Sequence, residues 1–336
     1  MTSASGVSTA DNSPAAPGPS PLSGDGASTG RLGDRLFGGA ARGAGLLVIV
    51  LVVLIATFLL SQAIPAIAHD KANFLTSTDW NVDGDTLSFG IANLLWVTVI
   101  SSVIALLIAV PLGVGVALFI TQYSPRWLAR PAASLVDLLA AVPSIVYGLW
   151  GLWVFGSHLN GIQNALQGAL GWFPLFSDTS VSEGGTIFVV GVVLAIMVLP
   201  IVTAISREVF AQTPVTHKEA ALALGATRWE MIRTTVLPFG RPGVISAAML
   251  ALGRALGETV AVLIILSALS GGTAWSWSIF NGGETFASKI ANNAAEFDTP
   301  QKAGAFIAAG LVLFVLTFVV NAIARIVIER RKAFTE

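Results

Sequence analysis

Six long stretches of predominantly apolar residues dominate the chain. Each is close to or above the roughly 20 residues that a helix needs to cross a membrane. Charged side chains make up only 11% of the 336 residues, whereas soluble domains carry roughly 25%. The sequence therefore predicts an all-α integral membrane protein with six transmembrane helices, at about 44–68, 91–120, 132–155, 186–205, 242–269 and 303–328.

The first 30 residues differ in composition, because they are small, polar and rich in Ser, Gly and Pro. Such a segment cannot bury enough apolar surface to offset the cost of ordering it. We expect a disordered N-terminal arm over residues 1–30 and a transmembrane domain over residues 31–336. Within that domain, Pro111, Pro143 and Pro200 are expected to kink the second, third and fourth spans.

Basic side chains are concentrated in alternate segments between the predicted spans. They lie before the first span, between spans two and three, between spans four and five, and after span six. The positive-inside rule places all four segments in the cytoplasm. We therefore predict that both termini are cytoplasmic, as is a loop at about 206–241.

The composition excludes several kinds of site. The chain has no Cys, so it can form no disulfide, thiolate or cysteine–metal centre. Its three His residues are scattered, without the spacing of metal ligands. A net charge of −1 gives no indication of nucleic-acid binding. We expect no metal site, no catalytic residue and no nucleic-acid partner.

Two charged residues, Arg254 and Glu258, lie inside the fifth predicted span. A charge at the centre of an inserted helix costs about 2.5–3.5 kcal/mol, so such residues face protein or water. Residues four apart share a helix face, which predicts that the two form a pair near mid-membrane. The pair is either a structural link or part of an oxyanion path, since guanidinium binds phosphate in a planar, bidentate geometry. Asp137, near the inner end of the third span, is predicted to bond a neighbouring helix or loop.

The predicted cytoplasmic loop contains two short helices. Thr213 is suited to be the N-cap before the run "PVTHKEAALALG", and Gly225 is suited to end it. A second helix, "ATRWEMIRTTVL", is predicted to stop at Pro238. Two short helices joined at a glycine predict a compact knob, on which small alanines leave a surface suited to close docking.

This loop resembles the EAA loop of ABC importer permeases. That pattern reads Glu-Ala-Ala, three residues, Gly, nine residues, then Ile-x-Leu-Pro, and Thr235 stands here in place of the Ile. The resemblance implies the type I ABC importer permease fold and a coupling helix that docks in a cleft of a separate ATP-binding subunit. The residues that match the pattern are Glu219, Ala220, Ala221, Gly225, Leu237 and Pro238.

Three segments, residues 136–155, 217–238 and 253–267, together resemble the PstC-type permeases of phosphate importers. The stretches "AAVPSIVYGLWGLWVF" and "GRALGETVAV" favour this type over the related PstA-type. The resemblance implies a multi-pass protein of the bacterial cell membrane that takes part in importing inorganic phosphate by alternating access. Arg254 and Glu258 would then lie on the substrate path.

The partners implied by the resemblance are a PstA-type second permease, a dimer of ATP-binding cassette subunits and an extracytoplasmic phosphate-binding protein. ATP and Mg²⁺ would bind to the partner ATPase, since this chain has no G-x-x-x-x-G-K-[ST] motif and is expected to hold no cofactor. Two alternatives stay open. The cargo could be sulfate or molybdate, or the chain could be an ion-coupled secondary transporter of an oxyanion with Arg254, Glu258 and Asp137 as a proton relay.

Overall fold

The computed structural model describes residues 29–83, 87–177, 184–267, 275–297 and 299–332. Over these residues the chain is almost entirely helical, which confirms the predicted all-α class. Apart from its last two residues, the predicted N-terminal arm lies outside the described residues, as does the end of the fifth predicted span at 268–269. The α-helices are α1 Thr29–Ala68, α2 Ala92–Leu118, α3 Arg126–Ala140, α4 Ser144–Trp150, α5 Gly156–Leu170, α6 Ile187–Ala211, α7 Val215–Ala223, α8 Arg228–Met231, α9 Leu237–Leu256, α10 Val260–Ile265, α11 Phe286–Asn292 and α12 Pro300–Lys332.

Short elements of other types lie between the α-helices. A small antiparallel hairpin pairs β1, Trp80–Asn81, with β2, Ser88–Phe89. Three π-helical turns each continue the α-helix before them; two lead on into a further α-helix, and one forms the last turn of its segment. The π turns are Phe119–Tyr123, Gly151–Phe155 and Ile232–Val236, and 3₁₀ turns cover Pro174–Phe176 and Ala294–Glu296.

Five helical segments in the described part of the chain are long and apolar enough to cross a membrane, and a sixth candidate is a bent pair of helices. The pair joins Arg126–Ala140 to Ser144–Leu170 with a bend of 89°. The predicted six spans hold if this pair counts as one, and the side on which the termini lie stays a prediction. The five other segments are Gly33–Ala68, Ala92–Tyr123, Ile187–Ala211, Arg228–Leu256 and Pro300–Ile326.

The kink predicted at Pro143 in the third span, 132–155, is confirmed, and it is sharp enough to divide the span into separate helices. The α3 helix ends at Ala140, and α4 begins directly after Pro143. Proline has no N–H to donate, and it disfavours the helical conformation in the residue before it, so the chain turns there. The hydroxyl of Tyr147 donates to the carbonyl oxygen of Leu139 at 2.9 Å, which ties α4 to the end of α3 across the bend. The other two prolines expected to kink a span lie inside uninterrupted helices, α2 and α6.

The fifth predicted span, 242–269, is also interrupted. The α9 helix ends at Leu256, and α10 begins only at Val260. Gly257 is the C-cap of α9, and glycine is a poor helix former because it has the most backbone freedom to lose. The prediction of one continuous helix through this region was therefore wrong.

The described residues divide into two units, one within residues 1–55 and the other within residues 56–336. In the first unit, the described residues belong to α1, and the large apolar side chains from Leu46 to Ile55 are exposed. The second unit holds the other helices and the buried core.

Helix α6 is the centre of the second unit. Of its most apolar stretch, 67% is buried, against 28% or less in the four other unbent candidate spans. It packs against α2, α9 and α3. Close approach to α9 depends on Gly240, where a Cβ atom would lie 2.4 Å from the fully buried ring of Phe210.

The segment 275–297 covers the N-terminal end of α6. The carbonyl oxygens of Ile279 and Asn281 accept hydrogen bonds from the backbone N–H groups of Phe188 and Ile187, at 2.8 and 2.9 Å. These N–H groups belong to the first turn of α6 and have no acceptor within the helix. The segment therefore fixes the end of the central helix.

Candidate functional site

The Glu-Ala-Ala run lies on α7, a helix of 9 residues. Its N-cap is Pro214, so the predicted N-cap at Thr213 was wrong by one residue. Proline suits this start because its φ is fixed near the helical value and it has no N–H to leave unpaired. The Thr213 side chain is buried instead, and its hydroxyl has no hydrogen-bond partner among the described residues.

The C-terminal end of α7 is as predicted. Gly225 has a positive φ of 87°, which other residues rarely adopt. Its N–H and that of Ala226 donate to carbonyl oxygens in the last turn of α7, at 3.0 and 3.2 Å. This pair of bonds around a left-handed glycine satisfies carbonyl groups that the helix leaves free. Gly225 is confirmed as the joint between the two helices of the loop.

The second helix of the loop starts with a capping box. The N–H of Glu230 donates to the hydroxyl of Thr227 at 3.3 Å, and the Glu230 carboxylate accepts from the N–H of Thr227 at 2.8 Å. The reciprocal bonds fix the direction in which the helix begins. Because they favour the charged carboxylate, they lower the pKa of Glu230 below its usual value.

The predicted stop at Pro238 was wrong. The helix α8, the π turn Ile232–Val236 and α9 form one uninterrupted segment, Arg228–Leu256. Within it, the Leu237 N–H donates to the Ile232 carbonyl oxygen, five residues earlier. This shift in hydrogen-bond register, directly before Pro238, accommodates a ring that would clash with the preceding turn of a regular α-helix. The loop therefore continues directly into the helix that carries Arg254.

The structure brings the residues of the Glu-Ala-Ala pattern together at one junction, beside the Gly225 turn. Ala221 and Leu237 both pack against one buried apolar cluster at the base of α9. Ala220 and Pro238 both line a cavity between α7 and the start of α9. Glu219 is exposed on α7. Contact of these residues with an ATP-binding subunit stays a prediction.

Sequence reasoning missed the exposed apolar side chains of this loop. Leu224 is 90% exposed, and no residue of α7 is buried. Four large apolar side chains exposed within residues 215–229 indicate a surface that another protein covers. Because these apolar residues lie in a segment predicted to face the cytoplasm, the sequence could have indicated such a surface. We call this set the coupling surface; it comprises Val215, Leu222, Leu224 and Trp229.

Arg254 and Glu258 do not form the predicted pair. Arg254 lies in the last turn of α9, whereas Glu258 lies beyond the end of that helix. No ion pair joins them in the described part of the chain. Glu258 is 9% exposed, and its carboxylate accepts the N–H of Ala261 at 3.3 Å. The prediction failed because i,i+4 pairing needs an unbroken helix; the place of both residues on a substrate path stays a prediction.

The side chain of Arg254 is exposed on the surface of this chain. A guanidinium at membrane depth is costly against lipid, so we expect it to face water or another subunit. The charge of Arg254 interacts with the hydroxyl group of Tyr147 on α4. Sequence reasoning missed this interaction, because the two residues are brought towards each other only in the folded chain.

Asp137 forms an ion pair with Arg207. The Nη2 atom of Arg207 lies 3.3 Å from each carboxylate oxygen of Asp137. The pair joins α3 to α6, which confirms that Asp137 bonds a neighbouring helix. Among the residues that the structure describes, no group of three or more His, Asp or Glu side chains is placed to hold a metal ion.

Comparison with known proteins identifies the family. Residues 109–333 match the family described as "Binding-protein-dependent transport system inner membrane component". Over 299 residues, the chain is 56% identical to phosphate transport system permease protein PstC 2 of Mycobacterium tuberculosis, covering 88% of this chain and 91% of the relative. It is 55% identical to PstC of Mycobacterium leprae, covering 87% and 92%. Identity to PstC of Mesorhizobium japonicum is 40%, covering 90% and 92%.

Among solved structures, the inward-facing MetNI methionine ABC transporter aligns with a TM-score of 0.49 and 16% identity, covering 72% of this chain and 94% of that chain. The family match includes Arg254 and the whole predicted cytoplasmic loop at 206–241, which we call the coupling loop. Together with the apolar helices, it makes this chain a multi-pass protein of the bacterial plasma membrane. The chain belongs to the inner membrane components of binding-protein-dependent transport systems, and among them to the PstC-type permeases.

Proposed function

We propose that this chain is the transmembrane permease subunit of an ATP-driven system that imports inorganic phosphate. The relatives named as phosphate transport system permeases support the cargo. The observation that carries the proposal is the helical segment Arg228–Leu256, which begins in the coupling loop and bears the exposed Arg254 near its far end. A movement imposed on the loop therefore reaches a guanidinium suited to binding phosphate.

Transport follows an alternating-access cycle in this proposal. An extracytoplasmic binding protein delivers phosphate to the outer face, and ATP binding by the partner subunits displaces α7. The Gly225 turn joins α7 to Arg228–Leu256, so the displacement moves α9 and opens the path outward. Phosphate then passes Arg254, and ATP hydrolysis restores the inward-facing state.

This chain supplies no hydrolytic chemistry to the cycle. Its sequence contains no G-x-x-x-x-G-K-[ST] loop, so ATP and Mg²⁺ are bound by a dimer of ATP-binding cassette subunits and no cofactor binds here. A PstA-type permease completes the transmembrane part. The exposed Arg254 faces that permease or the water-filled path between the two.

The test measures uptake of labelled phosphate and labelled sulfate by liposomes that contain the reconstituted complex. We expect phosphate uptake that requires ATP and exceeds sulfate uptake. Arg254→Leu should reduce phosphate uptake to background while all subunits still co-purify. Arg254→Lys keeps the charge and should retain part of the uptake.

Three outcomes would contradict the proposal. Normal uptake by Arg254→Leu would remove Arg254 from the substrate path. Faster uptake of sulfate than of phosphate would overturn the cargo. Uptake by the isolated chain, driven by a proton gradient alone, would favour the ion-coupled secondary transporter.

A further inference from the structure

A cavity of about 600 Å³ lies between α7 and the start of α9. One wall is the start of α7 with the two residues before it, and the other is the π turn and the first turn of α9. The cavity therefore touches both the element predicted to receive the ATP-binding subunit and the helix that carries Arg254. Its lining residues are Thr213, Pro214, Thr216, His217, Ala220, Thr234, Thr235, Pro238 and Phe239.

The chemistry of the walls favours a side chain as the occupant over a free anion. Pro214, Ala220, Pro238 and Phe239 supply apolar surface, and threonine hydroxyls supply polar points. None of the described residues that line the cavity is Lys or Arg, so no permanently charged side chain there offsets the desolvation of an anion. Sites with mostly apolar walls and a few placed polar groups bind groups with an apolar body and a polar tip.

The Thr216 and Thr235 side chains supply polar points that a group in this cavity can reach, because neither residue is buried. Thr213 also lines the cavity, but it is 2% exposed and its hydroxyl oxygen is buried, without a hydrogen-bond partner among the described residues. The Thr213 hydroxyl therefore offers no surface to a group in the cavity. The Thr234 hydroxyl already donates to the Glu230 carbonyl oxygen at 2.7 Å.

Helix α7 also lacks the burial that normally holds a short helix in place. None of its 9 residues is buried, and isolated helices shorter than about 12–15 residues are marginal in water. Two residues of the coupling surface, Val215 and Leu222, lie on this helix, and all four are exposed. Both observations indicate a partner that covers α7, and the cavity lies on the side of α7 that faces α9.

We propose that the cavity is a socket for one side chain of the ATP-binding subunit, with an aromatic or aliphatic body and a hydrogen-bonding tip. The inference rests on the proposed function, which supplies the partner. Ala220 and Pro238 belong both to the Glu-Ala-Ala pattern and to the socket wall, so the socket continues the predicted docking surface. A side chain seated there contacts α7 and α9 at once. The push of the ATPase then reaches α9 directly, besides passing through the Gly225 turn.

Single-cysteine variants can test this proposal, because the chain has no native Cys. Thr234→Cys places a thiol in the wall of the socket, at an exposed position. Leu224→Cys places one on the coupling surface outside the socket. The rate of maleimide labelling is measured in the membrane-embedded pair of permeases, with and without the ATP-binding subunits. The native cysteines of the ATP-binding subunits are replaced beforehand.

We expect both thiols to react readily without the ATP-binding subunits. With them, labelling of both should slow by about tenfold or more, because reaction of a thiol requires access. A photoreactive benzophenone attached to the Thr234→Cys thiol should then crosslink to one peptide of the ATP-binding subunit.

The two variants separate failure of the socket from failure of the function. If the subunits protect the Leu224→Cys thiol and leave the Thr234→Cys thiol reactive, the socket is wrong and the docking surface stands. If neither thiol is protected, contact with the ATPase at this loop is wrong. Protection of the Thr234→Cys thiol without the subunits, or a crosslink only to lipid or to the second permease, would also overturn the socket.

Discussion

The Glu258 carboxylate accepts a hydrogen bond at 3.3 Å from the backbone N–H of Ala261, in the first turn of α10, and it forms no ion pair with Arg254. We predict that Glu258→Gln, which keeps an acceptor in place, retains most of the phosphate uptake. Glu258→Ala removes the acceptor and should lower the stability by about 1–3 kcal/mol, the range for leaving a buried N–H without a partner. Thermal unfolding of the purified complex and phosphate uptake measure the two effects.

A different ranking of these variants would contradict this assignment of Glu258. If Glu258→Gln and Glu258→Ala abolish uptake equally while the complex stays stable, the negative charge itself acts in transport. Arg254→Leu provides the comparison, because it is expected to lose uptake without losing stability.

The ion pair between Asp137 and Arg207 yields a second prediction. The two side chains are 54% and 22% exposed, so the pair is partly screened by solvent. Its loss in Asp137→Asn should cost on the order of 1 kcal/mol, the upper range for exposed pairs. The exchanged variant, Asp137→Arg with Arg207→Asp, should recover much of that stability, as measured by thermal unfolding and by uptake. An exchanged variant that is stable but fails to transport would show that Arg207 acts on the anion as well.

Packing between α6 and α9 gives a matched pair of glycine substitutions. In Gly240→Ala, the added Cβ atom would lie 2.4 Å from the Phe210 ring, and overpacking of this kind costs about 1–3 kcal/mol. In Gly115→Ala, on α2, the added Cβ atom meets nothing within 4 Å, so we expect no loss of stability. The comparison needs only the yield and the melting temperature of the two variants. Equal stability of the two variants would mean that α6 and α9 pack less closely at Gly240 than the contact with Phe210 implies.

The Gly225 turn can be tested by backbone preference alone. A Cβ atom at Gly225 meets nothing within 4 Å, so the conformation is the only obstacle. Gly225→Ala must adopt φ near 87°, and left-handed backbone costs L-residues about 1–2 kcal/mol. Gly225→Asn should cost less, because asparagine tolerates this region better. Co-purification of the ATP-binding subunit should fall in the order Gly, Asn, Ala, and the reverse order of Asn and Ala would contradict the role of the turn.

The capping box at Thr227 and Glu230 predicts a pH dependence in the coupling loop. The hydrogen bonds from Thr227 lower the pKa of Glu230 in the folded protein. A group of this kind stabilises the fold above its unfolded pKa of about 4.3, and the contribution is lost as the pH falls through the lower folded pKa. Hydrogen–deuterium exchange over residues 226–236, corrected for intrinsic rates, should show weaker protection at acid pH. Glu230→Gln should remove this pH dependence, and its persistence in that variant would assign it to another group.

The apolar length and the composition of the segments were enough to predict the all-α class and to locate the candidate spans. Apolar length is a local property, so six candidates could be located from the sequence. The turn at Gly225 could likewise be predicted, because glycine adopts a positive φ more easily than other residues. The spacing of the Glu-Ala-Ala pattern is a property of the sequence itself.

The departures from prediction arose where neighbouring residues or tertiary contacts decide the backbone. The effect of a proline depends on its surroundings: Pro143 starts a new helix after a bend of 89°, whereas Pro238 is accommodated by the π turn before it. At Gly257, one flexible residue was enough to separate Arg254 from Glu258. The cavity behind α7 could not be predicted, because it lies between elements that meet only after folding.

The segment Arg228–Leu256 contains 29 residues, which corresponds to a length of about 43 Å at 1.5 Å per residue. A tilt of about 5° about one end of a rod of this length carries the other end through about 4 Å. That distance exceeds the reach of a hydrogen bond to a guanidinium, which is about 3 Å. If the proposed cycle tilts this rod, a tilt of a few degrees would therefore be enough to bring a guanidinium at its end into or out of contact with phosphate.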